Sequence, residues 1–200
     1  MRRLCALVIA ALALGFVVAA APASAAPKPR VTVIGDSVQA SFSFVPAATA
    51  RLGKGLDLKL DAVVCRRLVA PSCSYNGVTP QTALQLIKSS TGAKLGKVVV
   101  VHVGYNDDAS VYDINAVMKA LRAKGVKKVV WVTLHDPGNR YGGNNAQIAT
   151  AAKRWKGLTI ADWHAVSAGR PWFRADGIHP SPAGAMSLAG LIRQKVLAAL

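Results

Sequence analysis

The sequence predicts a three-layer α/β/α fold around a five-stranded parallel sheet, and two observations predict it. Short apolar runs rich in Val and Ile, such as 97–103 (KVVVVHV), lack the polar alternation of a half-solvated strand and mark strands covered on both faces. These runs alternate with segments of helical periodicity over short links, the order expected of parallel strands joined by crossover helices.

The elements follow in order. Residues 31–35 form a buried-strand pattern that ends at Gly35-Asp36-Ser37. Residues 56–64 alternate apolar and polar side chains and read as the second strand, 97–103 as the third, 127–134 (KKVVWVTL) as the fourth and 158–161 as a short fifth. Helical spacing fills the intervals. Residues 80–89 place Ala83, Leu84 and Ile87 on one side, and 111–124 do the same with Val111, Ile114, Val117, Met118 and Leu121 before Gly125 stops the helix. Residues 144–155 and 182–200 give two more helices. No internal repeat and no dividing linker appears, so 31–200 read as one domain, with 26–30 a flexible lead-in.

The first 25 residues read as a leader. Arg2 and Arg3 precede an apolar run from Leu4 to Ala21, then Pro22 and Ala23-Ser24-Ala25, small residues where a signal peptidase cuts. Cleavage after Ala25 and secretion to the extracellular space or cell envelope are therefore expected; the alternative is an uncleaved membrane anchor. Omitting Arg2 and Arg3 lowers the formal charge from +16 to +14, and every acid is Asp. So basic a chain attracts anionic partners. Its positive residues are scattered, with few aromatics for stacking, so specific nucleic-acid binding is not expected. An anionic envelope surface or an acidic glycan fits the compartment, and so does plain solvation. After cleavage only Cys65 and Cys73 remain, eight apart around a Pro71-containing loop, which reads as a local disulfide. Further ligands for zinc are not nearby.

Three fragments carry chemistry. Gly35-Asp36-Ser37 follows the first strand, where glycine permits a tight turn that leaves the hydroxyl facing the cleft. Gly104-Tyr105-Asn106-Asp107 follows the third strand, and an Asn there can aim its amide at an oxyanion. Asp176-Gly177-Ile178-His179 precedes the last helix; a carboxylate three residues before an imidazole can hold its Nδ1 proton and free the other nitrogen to deprotonate a serine. Singly these are ordinary turns. In this order and placement they resemble the SGNH, or GDSL-like, hydrolase family, over nearly all of the chain from Val31 onward. The stretch from Ile160-Ala161-Asp162-Trp163 to His179 is similar to SGNH domains that process O-acyl groups on bacterial envelope polysaccharides.

The resemblance implies a flavodoxin-like arrangement and a serine esterase acting on short-chain or O-acetyl esters, on an ester-bearing small molecule or an envelope glycan. It implies Ser37 as nucleophile, His179 as general base and acid, Asp176 as the orienting carboxylate, and no metal or organic cofactor. Its oxyanion hole implies the Ser37 amide, the Asn106 side chain and a glycine amide after the second strand. Here that last position reads Cys65-Arg66-Arg67, without glycine, and the Arg66 amide is the expected substitute. Asp36, Gly104, His135 and Arg140 are the expected substrate contacts. His102, inside a strand, reads as a packed histidine, and His164 lacks a carboxylate three residues upstream, which favours His179. The loop 137–145 is either substrate-contacting or a surface turn, Arg66 and Arg67 either anion-binding or solvated, and Trp172 and Phe173 either a substrate wall or packing for the last helix. Two alternatives stand beside hydrolysis: O-acyl transfer with the same triad, and a catalytically silent envelope-binding module.

Overall fold

The computed structural model describes residues 26–108 and 110–200. The expected leader and its cleavage site lie outside the described residues. Five parallel strands, β1 (Arg30–Gly35), β2 (Asp57–Ala62), β3 (Val98–His102), β4 (Lys128–Val132) and β5 (Leu158–Ala161), form one sheet in the order β2-β1-β3-β4-β5. The registers run Arg30 to Asp57, Val31 to Val98, Val98 to Lys128 and Val129 to Leu158. Continuous β-branched runs sit in the centre of the sheet, where both faces are covered. Edge strand β2 (DLKLDA) has no buried residue, as its alternation predicts.

Among the described residues eight α-helices flank the sheet: α1 (Ser37–Ala40), α2 (Pro46–Gly53), α3 (Ala83–Ser89), α4 (Gly92–Leu95), α5 (Val111–Ala123), α6 (Gly142–Arg154), α7 (Trp163–Ser167) and α8 (Pro182–Ala199). Alternate strand residues feed two cores. Val31, Val33, Val98, Val100, Val130 and Val132 meet Leu52 of α2 and Leu188, Ile192 and Val196 of α8. Ile34, Val99, Val101, Val129 and Trp131 meet Ile87 of α3, Val117 and Leu121 of α5 and Ile148 of α6. Among the described residues the buried members of the two cores run from Val31 to Val196, with Ala199 packed against the first.

Helix ends obey local chemistry. α3 begins at Ala83 rather than at residue 80, because Thr82 and Gln85 form a reciprocal capping box that fixes its first turn. Ser110 and Asp113 do the same for α5. The strand order reverses direction between β1 and β3, and the crevice at such a switch point, beyond the carboxyl ends of the strands, is where ligands bind in doubly wound sheets.

Candidate active site

Ser37 opens α1 immediately after β1, and Asp36 caps that helix. The Asp36 carboxylate is fully buried and accepts three backbone hydrogen bonds: from Val38 at 3.1 Å, and from Gly104 and Tyr105 at 3.1 Å each. It therefore ties the serine turn to the loop after β3. Burial pushes its carboxyl up to about 6, against the lowering effect of those amides. The expectation that Asp36 and Gly104 touch substrate is corrected. Both are buried, Asp36 as a brace between two loops and Gly104 as one of its donors.

The loop before α8 brings the imidazole to the serine. His179 Nε2 lies 3.0 Å from Ser37 Oγ, and His179 Nδ1 lies 2.9 Å from Asp176 Oδ2. The other Asp176 oxygen accepts the Ile178 and His179 amides at 2.8 Å each, which fixes the carboxylate as well as the ring. Burial acts to raise the Asp176 carboxyl, but the two amides and the His179 ring outweigh it and hold it below the usual carboxylate range. The loop is pinned at its base by Arg174 N–H donating to His179 O and Ser181 N–H donating to Trp172 O, both 2.8 Å, and by a bridge between Phe173 and Pro180. In this geometry His179 can take the Ser37 proton while Asp176 orients the ring.

The loop after β2 supplies the next wall. Asn106 Nδ2 donates to Arg66 O at 3.3 Å, so the asparagine amide is held by the Arg66 carbonyl. The expected role of the Arg66 amide is corrected, because that N–H turns back to Val63 O at 3.4 Å. The Arg66 side chain is buried and bonds Asp61 Oδ1 at 2.9 Å and Gln81 O at 3.1 Å, clamping the loop from beneath. Its neighbour Cys65 has a left-handed backbone, φ +69°, and is bonded to Cys73 as expected. The Cys65 N–H finds no hydrogen-bond partner among the described residues.

No family model matches the chain. A stretch of 101 residues, half of this chain, is 33% identical to the O-acetyltransferase OatA of Staphylococcus aureus (strain NCTC 8325 / PS 47), and the match to strain COL is the same. This chain spans 16% of the length of those relatives. Solved structures align over most of its length. Psychrotrophic esterase EstA from Pseudoalteromonas sp. has a TM-score of 0.62 at 14% identity, covering 85% of this chain and 97% of the other. A carbohydrate esterase family 3 protein from Talaromyces cellulolyticus has a TM-score of 0.56 at 16% identity, with the same coverage. An acetyl esterase mutant with acetate ion gives 0.57 at 15% identity, again over 85% and 97%. The chain shares the α/β fold of these esterases.

On this fold, two cavities flank the serine and the asparagine. One, of about 380 Å³, is lined by Ser37, Phe44, Val64, Tyr75, Arg174 and His179. Phe44 and Tyr75 are 75% and 55% exposed, and Arg174 lies over the Phe44 ring at 5.6 Å. The other, of about 290 Å³, is polar and is lined by Arg67, Tyr105, Asn106, Asp107, Arg140 and Tyr141. Arg140, one of the expected substrate contacts, lines this cavity together with Asn106. His135 does not: its ring stacks on Phe173 at 3.6 Å and its Nδ1 lies 2.7 Å from Ser167 Oγ, so it packs the wall behind the His179 loop. Trp172 and Phe173 resolve toward packing, with Trp172 stacked on buried Trp163. His102 is fully buried against Gln39. Among the described residues no group of three His, Cys, Asp or Glu side chains is placed to hold a metal. Phe44, Tyr75 and Arg174 escaped the sequence reading, since no pattern sets an aromatic in a loop apart as a cleft residue.

Proposed function

We propose that this chain is a serine esterase that cleaves short-chain or O-acetyl esters through an acyl-enzyme on Ser37. The observation that carries the reading is the continuous relay from Asp176 through His179 to Ser37 Oγ, with contacts of 2.9 and 3.0 Å. His179 takes the hydroxyl proton as Ser37 Oγ attacks the ester carbonyl. The tetrahedral oxyanion is met by the Ser37 amide and the Asn106 side chain, with the unpartnered Cys65 amide in the role first given to Arg66. His179 then protonates the leaving alcohol, and water resolves the acyl-enzyme by the reverse route. Loss of one oxyanion donor, as in Asn106→Ala, lowers turnover by about 10²–10³-fold.

A second reading has a specific observation in its favour. The match to an O-acetyltransferase supports transfer, in which an acceptor alcohol replaces water at the same acyl-enzyme. Product analysis with and without a sugar acceptor separates the two. The chain acts outside the cytoplasm in this reading, after cleavage near Ala25, on an ester-bearing small molecule or an envelope glycan.

The test is covalent labelling of residues 26–200 by a fluorophosphonate, read by intact mass, with Ser37→Ala as control. Stoichiometric labelling that disappears in the variant is expected. A folded protein that takes up no label overturns the reading in favour of a silent binding module, and labelling that survives Ser37→Ala overturns Ser37 as the nucleophile.

A further inference from the structure

The acids of this protein are sorted along the strand axis. In a parallel sheet all amino-terminal strand ends share one edge, and here that edge lies opposite the Ser37 crevice. Exposed lysines crowd it: Lys28 before β1, Lys54 before β2, Lys97 before β3, Lys127 and Lys128 at the start of β4, and Lys156 before β5. Of the nine acids only Asp57 sits at this edge, where Arg30 pairs with it at 2.5 Å. The remaining acids belong to the other half of the molecule, in or after the carboxyl-terminal ends of the strands and in the loops above them.

The basic edge also has an apolar component. Lys97, Lys127 and Lys128 surround a shallow cavity of about 260 Å³ whose remaining walls are Gly125, Ala199 and Leu200. Leu200 and Leu197 at the end of α8 are 49% and 47% exposed. Three ammonium groups around an apolar floor suit an anionic amphiphile: phosphate oxygens for the lysines, hydrocarbon for the leucines. A soluble polyanion has nothing to offer the leucines, and the aromatics that would stack on bases are not among these residues.

We propose that the amino-terminal edge of the sheet is a docking surface for an anionic phospholipid bilayer, which holds the Ser37 crevice facing away from the lipid. No helix among the described residues is long and apolar enough to cross a membrane. Each lysine near an anionic leaflet strengthens partitioning by about fivefold.

The test is co-sedimentation of residues 26–200 with vesicles of phosphatidylcholine, with and without phosphatidylglycerol. Binding is expected only with phosphatidylglycerol and is expected to fall as salt rises. The variant K97E/K127E/K128E should partition at least about 100-fold more weakly, while its melting temperature and its hydrolysis of a soluble ester stay unchanged. The variant L197S/L200S should lose vesicle binding but keep any binding to inorganic polyphosphate. Equal binding to neutral vesicles, full binding by K97E/K127E/K128E, or tighter binding to polyphosphate or duplex DNA than to vesicles overturns the proposal. None of these outcomes depends on whether Ser37 is a nucleophile.

Discussion

At the residue scale, the side chain that most constrains the candidate site is Asp36 rather than a member of the relay. One of its oxygens takes the Gly104 and Tyr105 amides and the other takes the Val38 amide, so serine and asparagine loops 68 and 69 residues apart in sequence are set by one carboxylate. Asn at this position keeps the shape but turns an NH₂ toward at least one of those amides. It also relieves the cost of a buried charge, which offsets part of the lost bonding. Asp36→Asn should therefore change unfolding free energy by less than about 2 kcal/mol while slowing labelling of Ser37 by about 10- to 100-fold. Urea melts and the labelling rate measure the two effects separately, and an unimpaired rate would show that the brace does not set the serine. The relay was legible because its pieces are local: Asp176 and His179 are three apart, and Ser37 abuts a strand end. Asp36 was not, since its partners come from a distant loop and a polar residue after a strand looks the same whether it faces in or out. His135 misled for the same reason, its stacking partner Phe173 lying far along the chain.

At the scale of elements, the His179 loop is a short strap between α7 and α8, and its position depends on how closely α8 approaches it. Gly184, in the first turn of α8, has Trp172 O so near that an added Cβ would sit 2.0 Å from it. That carbonyl is the one that accepts the Ser181 amide and closes the base of the strap. Gly184→Ala must push helix and strap apart, at a cost of about 3 kcal/mol. It should lower turnover more than it raises KM, because the shift moves His179 relative to Ser37 while, of the other walls of that cavity, only Arg174 rides on the strap. Thermal melting and steady-state kinetics give both numbers; a variant with native melting and native turnover would mean that the strap can yield freely. The strands and the long helices were legible because burial writes its period into many residues at once. Each strand read from the sequence appears, trimmed where the run extended past the last paired residue, as at Lys97 and Val103 around β3. Helix α2 gave no such signal: it spans eight residues and buries only Ala48 and Leu52, and Pro46 at its start reads as a turn until its place in the first turn of a helix is seen. Helices α1, α4 and α7, of four, four and five residues, are too short to show a period at all.

At the scale of the whole molecule, three titratable groups set opposing dependences of stability on pH: Asp36 and Asp107 on one side and His102 on the other. Burial raises Asp36 from 3.8 to about 6. The folded state therefore holds a proton that the unfolded chain releases, and this group lowers stability as pH rises from 4 to 6, by up to about 3 kcal/mol. Asp107, raised to about 6 chiefly by burial, acts in the same direction. His102 does the reverse. Burial lowers it from 6.5 to about 3, so below pH 6.5 the unfolded chain takes up a proton that the fold refuses, and stability is lost as pH falls. Between pH 4 and 6 the His102 slope offsets one of the two carboxylates and the other remains, so the wild-type protein should lose stability as pH rises there, by roughly 1.4 kcal/mol per unit. Glutamine at position 102 keeps a polar partner for Gln39 but does not titrate. His102→Gln should be less stable than wild type at pH 7 and should gain on it by about 1.4 kcal/mol per pH unit as pH falls from 6.5 to 4. Urea unfolding of both proteins at closely spaced pH values measures that difference. Converging curves would establish His102 as a neutral core histidine, and parallel curves would mean that the ring takes up its proton inside the fold as readily as outside it.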